Sequence, residues 1–226
     1  YIKAGKSLWA KFINDTTVEV EENVIVSDSI VNSTVTAMKN IVLRGKKAQI
    51  IGGHLMATEE ICARKVGSPG GGTETILEVG VDPRAKKRLE ELQNQQAKST
   101  KEYENCDLDI QTLEQQKKLR KKLPQEKEEK LKTLKERCEQ ISEELEVMTD
   151  EINKIQEHLR DLKAIGKVKV EGDVYAGVKI YIRDVLDEVK IDTKSVTFFY
   201  DKAFSKRGPY EPPTLAEEQP DGYSAD

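Results

Sequence analysis

The chain has 226 residues, of which 37% are apolar, 35% charged and 5% aromatic, with Trp9 as the single tryptophan. That balance excludes one thick, aromatic-filled core and points to a thin, repetitive core together with an elongated, charge-coated part. The net charge of −4, from 37 basic and 41 acidic side chains, excludes a global field that would drive the chain onto nucleic acid or an anionic membrane, so any such contact has to be local.

The chain opens on Tyr1-Ile2-Lys3-Ala4-Gly5-Lys6-Ser7, whose Gly5-Lys6-Ser7 has the spelling of the end of a phosphate-binding loop. Such a loop needs a helix after it. Here Leu8 to Val18 follows, rich in β-formers and without a helix cap, so these residues are expected at a bend. The β-like pattern is already under way at Tyr1, which leads us to expect a segment upstream.

Short apolar runs continue to about residue 80: Val18-Glu19-Val20, Val24-Ile25-Val26, Val35-Thr36-Ala37, Ile41-Val42-Leu43, Leu55-Met56-Ala57 and Ile76-Leu77-Glu78-Val79. Polar and glycine-containing turns separate them, which predicts strands of three to five residues. They recur in two columns. Leu8, Val24, Ile41 and Ile61 are spaced by 16, 17 and 20 residues, and Val18, Val35, Leu55 and Ile76 by 17, 20 and 21. A β-rich repeat of that length suits one coil of a parallel β-solenoid, each coil stacked on its neighbours. An antiparallel meander or sandwich is the rival, weakened by the lack of Asn-Gly or Asp-Gly turns between strands.

Residues 82–165 change period. Leu131, Leu134, Cys138, Ile141, Leu145, Met148, Ile152, Ile155, Leu159 and Leu162 alternate spacings of three and four, a strict heptad seam. A weaker seam runs Leu89, Leu92, Gln96, Ser99, Tyr103, Cys106, Ile110 and Leu113. Asp82-Pro83 opens the first helix, Pro124 suits the first turn of the second, and Gly166 closes it. Two such helices joined by a few residues run antiparallel, as a hairpin roughly 60 Å long; a single kinked helix is the alternative. Facing residues in an antiparallel pair have numbers of constant sum. A turn near Lys122 sets Cys106 against Cys138, and a turn near Gln125 sets Cys106 against Leu145. The place of Pro124 favours the first register, in which mild oxidation would join Cys106 to Cys138.

After Gly166 the period returns to two through Val168, Val170, Val174, Val178, Ile180 and Ile182, then Val196, Phe198 and Tyr200. The expected architecture is a right-handed parallel β-helix with short coils (residues 1–81), an inserted antiparallel coiled-coil hairpin (82–165), a returning β segment that completes or caps the solenoid (166–202) and a disordered tail (203–226).

The pieces Ala4-Gly5-Lys6, Ala10-Lys11-Phe12-Ile13, Ile51-Gly52-Gly53, Gly67-Ser68-Pro69, Glu78-Val79-Gly80-Val81-Asp82-Pro83, Leu123-Pro124 and Val174-Tyr175-Ala176-Gly177-Val178-Lys179-Ile180 match a known pattern in order and spacing. The chain resembles, to about residue 200, the β-solenoid domain of the bacterial flagellar assembly protein A family. Ala176 stands where that pattern expects proline and Lys6 where a second glycine is usual, and the N-terminal region members usually carry is not in the sequence. The resemblance implies a cytoplasmic bacterial protein that acts in flagellum assembly or positioning rather than in catalysis.

The residues themselves offer no catalytic constellation. Cys62, Cys106 and Cys138 form no C-x-x-C pair, which argues for a reducing compartment and against zinc. His54 and His158 have no second histidine at metal or catalytic spacing. No catalytic residue, cofactor or metal is therefore expected. The glycine run Ser68-Pro69-Gly70-Gly71-Gly72 reads as a protruding contact loop.

Charge concentrates at the hairpin tip. Between Lys117 and Arg137 ten basic residues, among them Lys117, Lys118, Arg120, Lys121, Lys122, Lys127 and Lys130, meet four acids, whereas residues 138–153 carry six acids and no base. The tip is a candidate dock for an acidic partner protein; salt-dependent tethering to an anionic leaflet or nucleic acid is the alternative, without aromatics for base stacking. A bactofilin-like filament, in which open solenoid ends stack, is the other reading, and a capped last coil would disfavour it. Protein partners from the flagellar or polar-localisation machinery, and self-association, follow as expectations.

Overall fold

A computed structural model describes residues 1–120, 124–161, 166–202 and 204–215, the side chains of Arg120 and Asp161 excepted. Two compact units divide the chain: residues 1–84 with 162–226, and residues 85–161.

The first unit is a parallel β-solenoid. Nine strands lead into it: β1 (Ile2–Ala4), β2 (Leu8–Asn14), β3 (Thr17–Val20), β4 (Val24–Ala37), β5 (Asn40–Leu43), β6 (Gln49–Ala57), β7 (Glu60–Ala63), β8 (Lys65–Val66) and β9 (Thr75–Val79). Three ladders hold the coils together. In the first, Leu8 pairs with Val24, Val24 with Ile41, Ile41 with Ile61 and Ile61 with Val168, so its five rungs span four turns. The second runs Ile2, Val18, Val35, Leu55, Leu77, Ile180. A third, Ile13, Ile30, Ile50, Val66, Val174, has no counterpart in the two columns found in the sequence.

Inward rungs such as Val24, Ile30, Val35, Ile41, Ile50, Leu55, Ile61 and Val168 are fully buried, which makes a narrow aliphatic column. Each such side chain contributes about 1.5–3 kcal/mol on leaving water. β-Branched residues suit the role because their stiff χ1 stacks identical neighbours on a pleated surface.

At the fourth step of the second ladder, after Leu55, the rung is Leu77, not Ile76. Leu77 is fully buried, and Ile76, paired with His54, points the other way. A shift of one residue moves a strand's side chains to its opposite face.

One corner repeats in every coil that has it. Asp15, Asn32 and Gly52 occupy equivalent positions with φ of 47°, 44° and 69°. Aspartate, asparagine and glycine are the residues that enter the left-handed region at least cost. At Gly52 a Cβ would also lie 2.5 Å from Asn32 Oδ1 and 2.7 Å from the Thr73 methyl, so a side chain there would have to displace both.

The chain leaves the solenoid after Val79 and re-enters at Gly166, where backbones touch: a Cβ on Gly166 would sit 2.2 Å from the Gly80 nitrogen. Between them are α1 (Pro83–Arg120) and α2 (Gln125–Asp161). The Asp82 carboxylate accepts a hydrogen bond from the Arg84 amide at 2.9 Å and caps α1. Pro124 lies just before α2 rather than within its first turn, and its carbonyl accepts from the Lys127 and Glu128 amides at 2.9 and 3.2 Å.

In the hairpin unit, Cys106, Ile110, Leu113, Leu131 and Cys138 form one apolar cluster with Tyr103 and Leu134 packed against it. The Cys106 thiol donates to the Leu134 carbonyl at 3.2 Å, one turn before Cys138 in the same cluster. These contacts follow the first of the two registers, Cys106 against Cys138. Arg137–Glu102 at 2.8 Å and Lys135–Glu114 at 2.6 Å bracket that layer. Gln96, a polar seam position, is satisfied by donating to Thr149 Oγ1 at 2.9 Å.

Beyond the hairpin, β10 (Lys167–Val174) and β11 (Lys179–Ile182) extend the ladders in parallel, after which the direction reverses. β12 (Val185–Glu188) is antiparallel to β11, β13 (Thr193–Asp201) to β10, and β14 (Phe204–Pro209) to β13. Phe198 opposite Val168 is fully buried and closes the core. Arg207 stacks over its ring at 5.2 Å and pairs with Asp187 at 2.5 Å, tying β14 to β12.

Residues 204–215 thus depart from the expected disordered tail. Strand β14 completes the hairpin with β13, and the segment after it is held on the solenoid by hydrogen bonds that local composition does not reveal. The rest of that expected tail, residues 216–226, lies outside the described residues, as does Ala203.

Candidate functional site

The bend at Gly5-Lys6-Ser7 joins β1 to β2, two strands, with no helix N-terminus to face a phosphate. Ser7 belongs to a polar ladder along the coils instead. Its hydroxyl accepts from the Asn23 amide at 3.4 Å, and Asn40 Nδ2 bridges Asn23 Oδ1 at 3.1 Å and Glu59 Oε2 at 3.2 Å. His54 Nε2 stands 3.2 Å from Glu78 Oε2.

The glycine run Ser68 to Gly72, the expected contact loop, folds as a turn in which the Gly71 amide donates to the Ser68 carbonyl at 3.1 Å, with Gly70, Gly71 and Gly72 all at positive φ. Ser68, Gly71 and Gly72 line a groove of about 260 Å³ with Ala176, Gly177 and Lys179. Lys179 reaches Glu74 at 2.5 Å across its edge. Pro69 is in the same turn but not on that groove.

Of the basic tip, Lys121 and Lys122 lie outside the described residues, as does the side chain of Arg120. Lys117 and Leu119 are exposed on the last turn of α1. Some of the positive charges are matched across the hairpin, Lys117 to Glu128 at 3.7 Å and Lys135 to Glu114 at 2.6 Å, while Lys127 donates to the neutral Gln116 amide oxygen at 2.8 Å. The bond from Lys135 holds the Glu114 carboxyl below its ordinary value. Lys118 and Lys130 form no ion pair among the described residues.

The structure adds one cluster that the sequence did not single out. Lys169 and Glu60 lie on outward positions of β10 and β7, yet their side chains are only 3% and 11% exposed. Residues 210–215 cover them. Lys169 Nζ donates to Glu60 Oε1 at 2.6 Å, to the Pro212 carbonyl at 3.0 Å and to Thr214 Oγ1 at 3.1 Å. Thr214 donates its amide to Glu60 Oε2 at 3.1 Å and its hydroxyl to Oε1 at 2.6 Å. Burial pushes the Glu60 carboxyl up, but the bonds from Lys169 and Thr214 together outweigh it, and the group titrates below its ordinary value.

Beneath the same strap, burial and the Glu60 carboxylate push the Cys62 thiol up to about 12, which makes it an inert packing group rather than a nucleophile. A groove of about 350 Å³ runs beside it between Arg44, Arg64, Glu171 and Tyr210. In the sequence Lys169 sits between Val168 and Val170 and reads as a solvent-facing position. Only the strap, more than forty residues further on, buries it.

Among the described residues no three His, Cys, Asp or Glu side chains are arranged to hold a metal, and no helix is long and apolar enough to cross a membrane. Neither a curated protein nor a solved structure matches the chain. The model of one family does, over residues 1–203, which take in the solenoid, the inserted hairpin and the returning strands. With the fold and the sequence pattern in agreement along that length, the chain belongs to the Flagellar Assembly Protein A family and carries its β-solenoid domain.

Proposed function

We propose that this flagellar assembly-related protein is a non-enzymatic scaffold whose hairpin tip docks an acidic partner protein during assembly or positioning of the flagellum. The observation that carries the reading is the charge distribution of the hairpin: ten basic against four acidic residues between Lys117 and Arg137, followed by six acids and no base in residues 138–153. Cross-helix pairs neutralise part of that charge, and Lys118 and Lys130 remain without an ion pair among the described residues. Their ammonium groups are available to an outside carboxylate.

The solenoid suits a base more than a filament subunit. Its last coil passes into antiparallel β12, β13 and β14, which leaves no parallel rung at that end for a further copy to extend. This supports the scaffold over end-to-end stacking.

The test is affinity capture from flagellated cells with the intact chain and with Lys117, Lys118, Lys121, Lys122 and Lys130 changed to glutamate, compared by mass spectrometry. Partners that dissociate as salt rises and vanish with the charge reversal bear the reading out. Partners retained by the reversed tip refute it, and binding transferred to anionic vesicles or nucleic acid identifies the tether instead.

A further inference from the structure

We propose that Cys106 and Cys138 are a reversible modification site, a dithiol that closes to a disulfide across the hairpin by exchange with a low-molecular-weight disulfide. The two residues belong to one apolar cluster of the seam, with Cys106 Sγ 3.2 Å from the Leu134 carbonyl one turn before Cys138. Ile110 and Leu113 pack with Leu131 in the same cluster, and the Arg137–Glu102 and Lys135–Glu114 pairs fix the register around it. Closing the bond therefore requires no sliding of one helix along the other.

The chemistry balances in two exchanges. One cysteine, as thiolate, attacks a sulfur of the small disulfide and releases one small thiol. The other cysteine then attacks that mixed disulfide, forms the Cys106–Cys138 bond and releases the second thiol. The protein loses two hydrogens and two electrons, which the small disulfide takes up.

Access depends on opening, because Cys106 and Cys138 are 7% and 8% exposed. A two-helix seam has few layers around it and opens locally more readily than the stacked solenoid. Cys62 supplies an internal comparison, a third buried thiol with no cysteine partner, held under residues 210–215.

The experiment incubates the full chain under native conditions in glutathione disulfide and reduced glutathione at graded ratios, quenches it in acid and maps peptides without reduction. The expected result is an intramolecular Cys106–Cys138 link, Cys62 left as thiol, a higher melting temperature of the helical signal, and recovery of three thiols on adding dithiothreitol. Cys106→Ser, confirmed helical by circular dichroism, removes the link and leaves at most a single glutathione adduct at Cys138. Separate glutathione adducts on both cysteines of the unaltered chain, links between molecules, or both thiols intact after the reaction of Cys62 would each overturn the proposal.

Discussion

Replacing Lys169 by methionine tests the strap. The substitution keeps the length of the side chain and removes the charge, so the Glu60 carboxylate is left beneath residues 210–215 with only Thr214 and the Cys62 thiol as partners among the described residues. Removing one member of a buried ion pair destabilises by about 3–5 kcal/mol, most of it the penalty of the stranded charge. Here the structure offers a cheaper response than global unfolding, because the strap can lift and let water reach Glu60. The expected outcome is therefore local: opening becomes more populated by about two to three and a half powers of ten, at a factor of ten per 1.4 kcal/mol. Cys62 reports it directly, since its thiol is 2% exposed while the strap is down. An aromatic disulfide reagent under native conditions reads the rate, with Cys106 and Cys138 changed to serine so that a single thiol reacts. A second substitution, Glu60→Gln in the Lys169→Met background, removes the stranded charge and restores most of the protection. A Cys62 rate unchanged by Lys169→Met, together with an unchanged urea midpoint, would refute the view that this pair holds the strap.

Four further outcomes follow from the same geometry. Because the Glu60 carboxyl titrates below its ordinary value of 4.5 in the folded chain, its contribution is complete above the unfolded carboxylate range and is lost as pH falls through the lower folded value; Cys62 protection, read by a pH-tolerant alkylating reagent after an acid pulse, should fail there, whereas Glu60→Gln, a permanently neutral stand-in for the protonated acid, should show weakened protection already at neutral pH and no further loss through this step. Leu77→Ala, at a fully buried rung, should cost about 2–5 kcal/mol in urea unfolding and Ile76→Ala much less; equal effects would restore Ile76 to the ladder. Ile141→Ala, also fully buried, should lower the melting temperature of the helical signal at 222 nm by a loss of the same order while the β signal of the solenoid melts as before. Asn32→Val, at φ 44°, should cost about 1–3 kcal/mol because a β-branched residue is strained in the left-handed region, and Asn32→Gly should be tolerated.

The ladder and the seam were legible because each is a local rule repeated. Leu8, Val24, Ile41 and Ile61 recur at coil length, and the pairing joins those same residues. The heptad of α2 likewise marks its buried face, with Leu131, Cys138, Ile141 and Ile152 buried. Repetition failed as a guide where the coil length changed: the residues between Gly67 and Thr75 shifted the phase by one, and Ile76 was read for Leu77. The third ladder was missed because its apolar runs are only two residues long, Ile30-Val31 inside β4 and Ile50-Ile51 in β6, and lie among polar and glycine residues that read as turns.

The candidate interface was legible only as charge. The excess of lysine at the hairpin tip is a fact of composition, but which lysines are matched depends on the register, and the register rests on packing in three dimensions. Sequence by itself determined the stacking unit, the heptad and the residues that bend the corner, since all three depend on side-chain chemistry over a few neighbouring positions. Only the tertiary structure decided that Lys169 and Glu60 are buried and that Pro212 and Thr214 belong to the folded body. Those residues gain their partners from positions up to 154 apart in the chain, where no local pattern connects them.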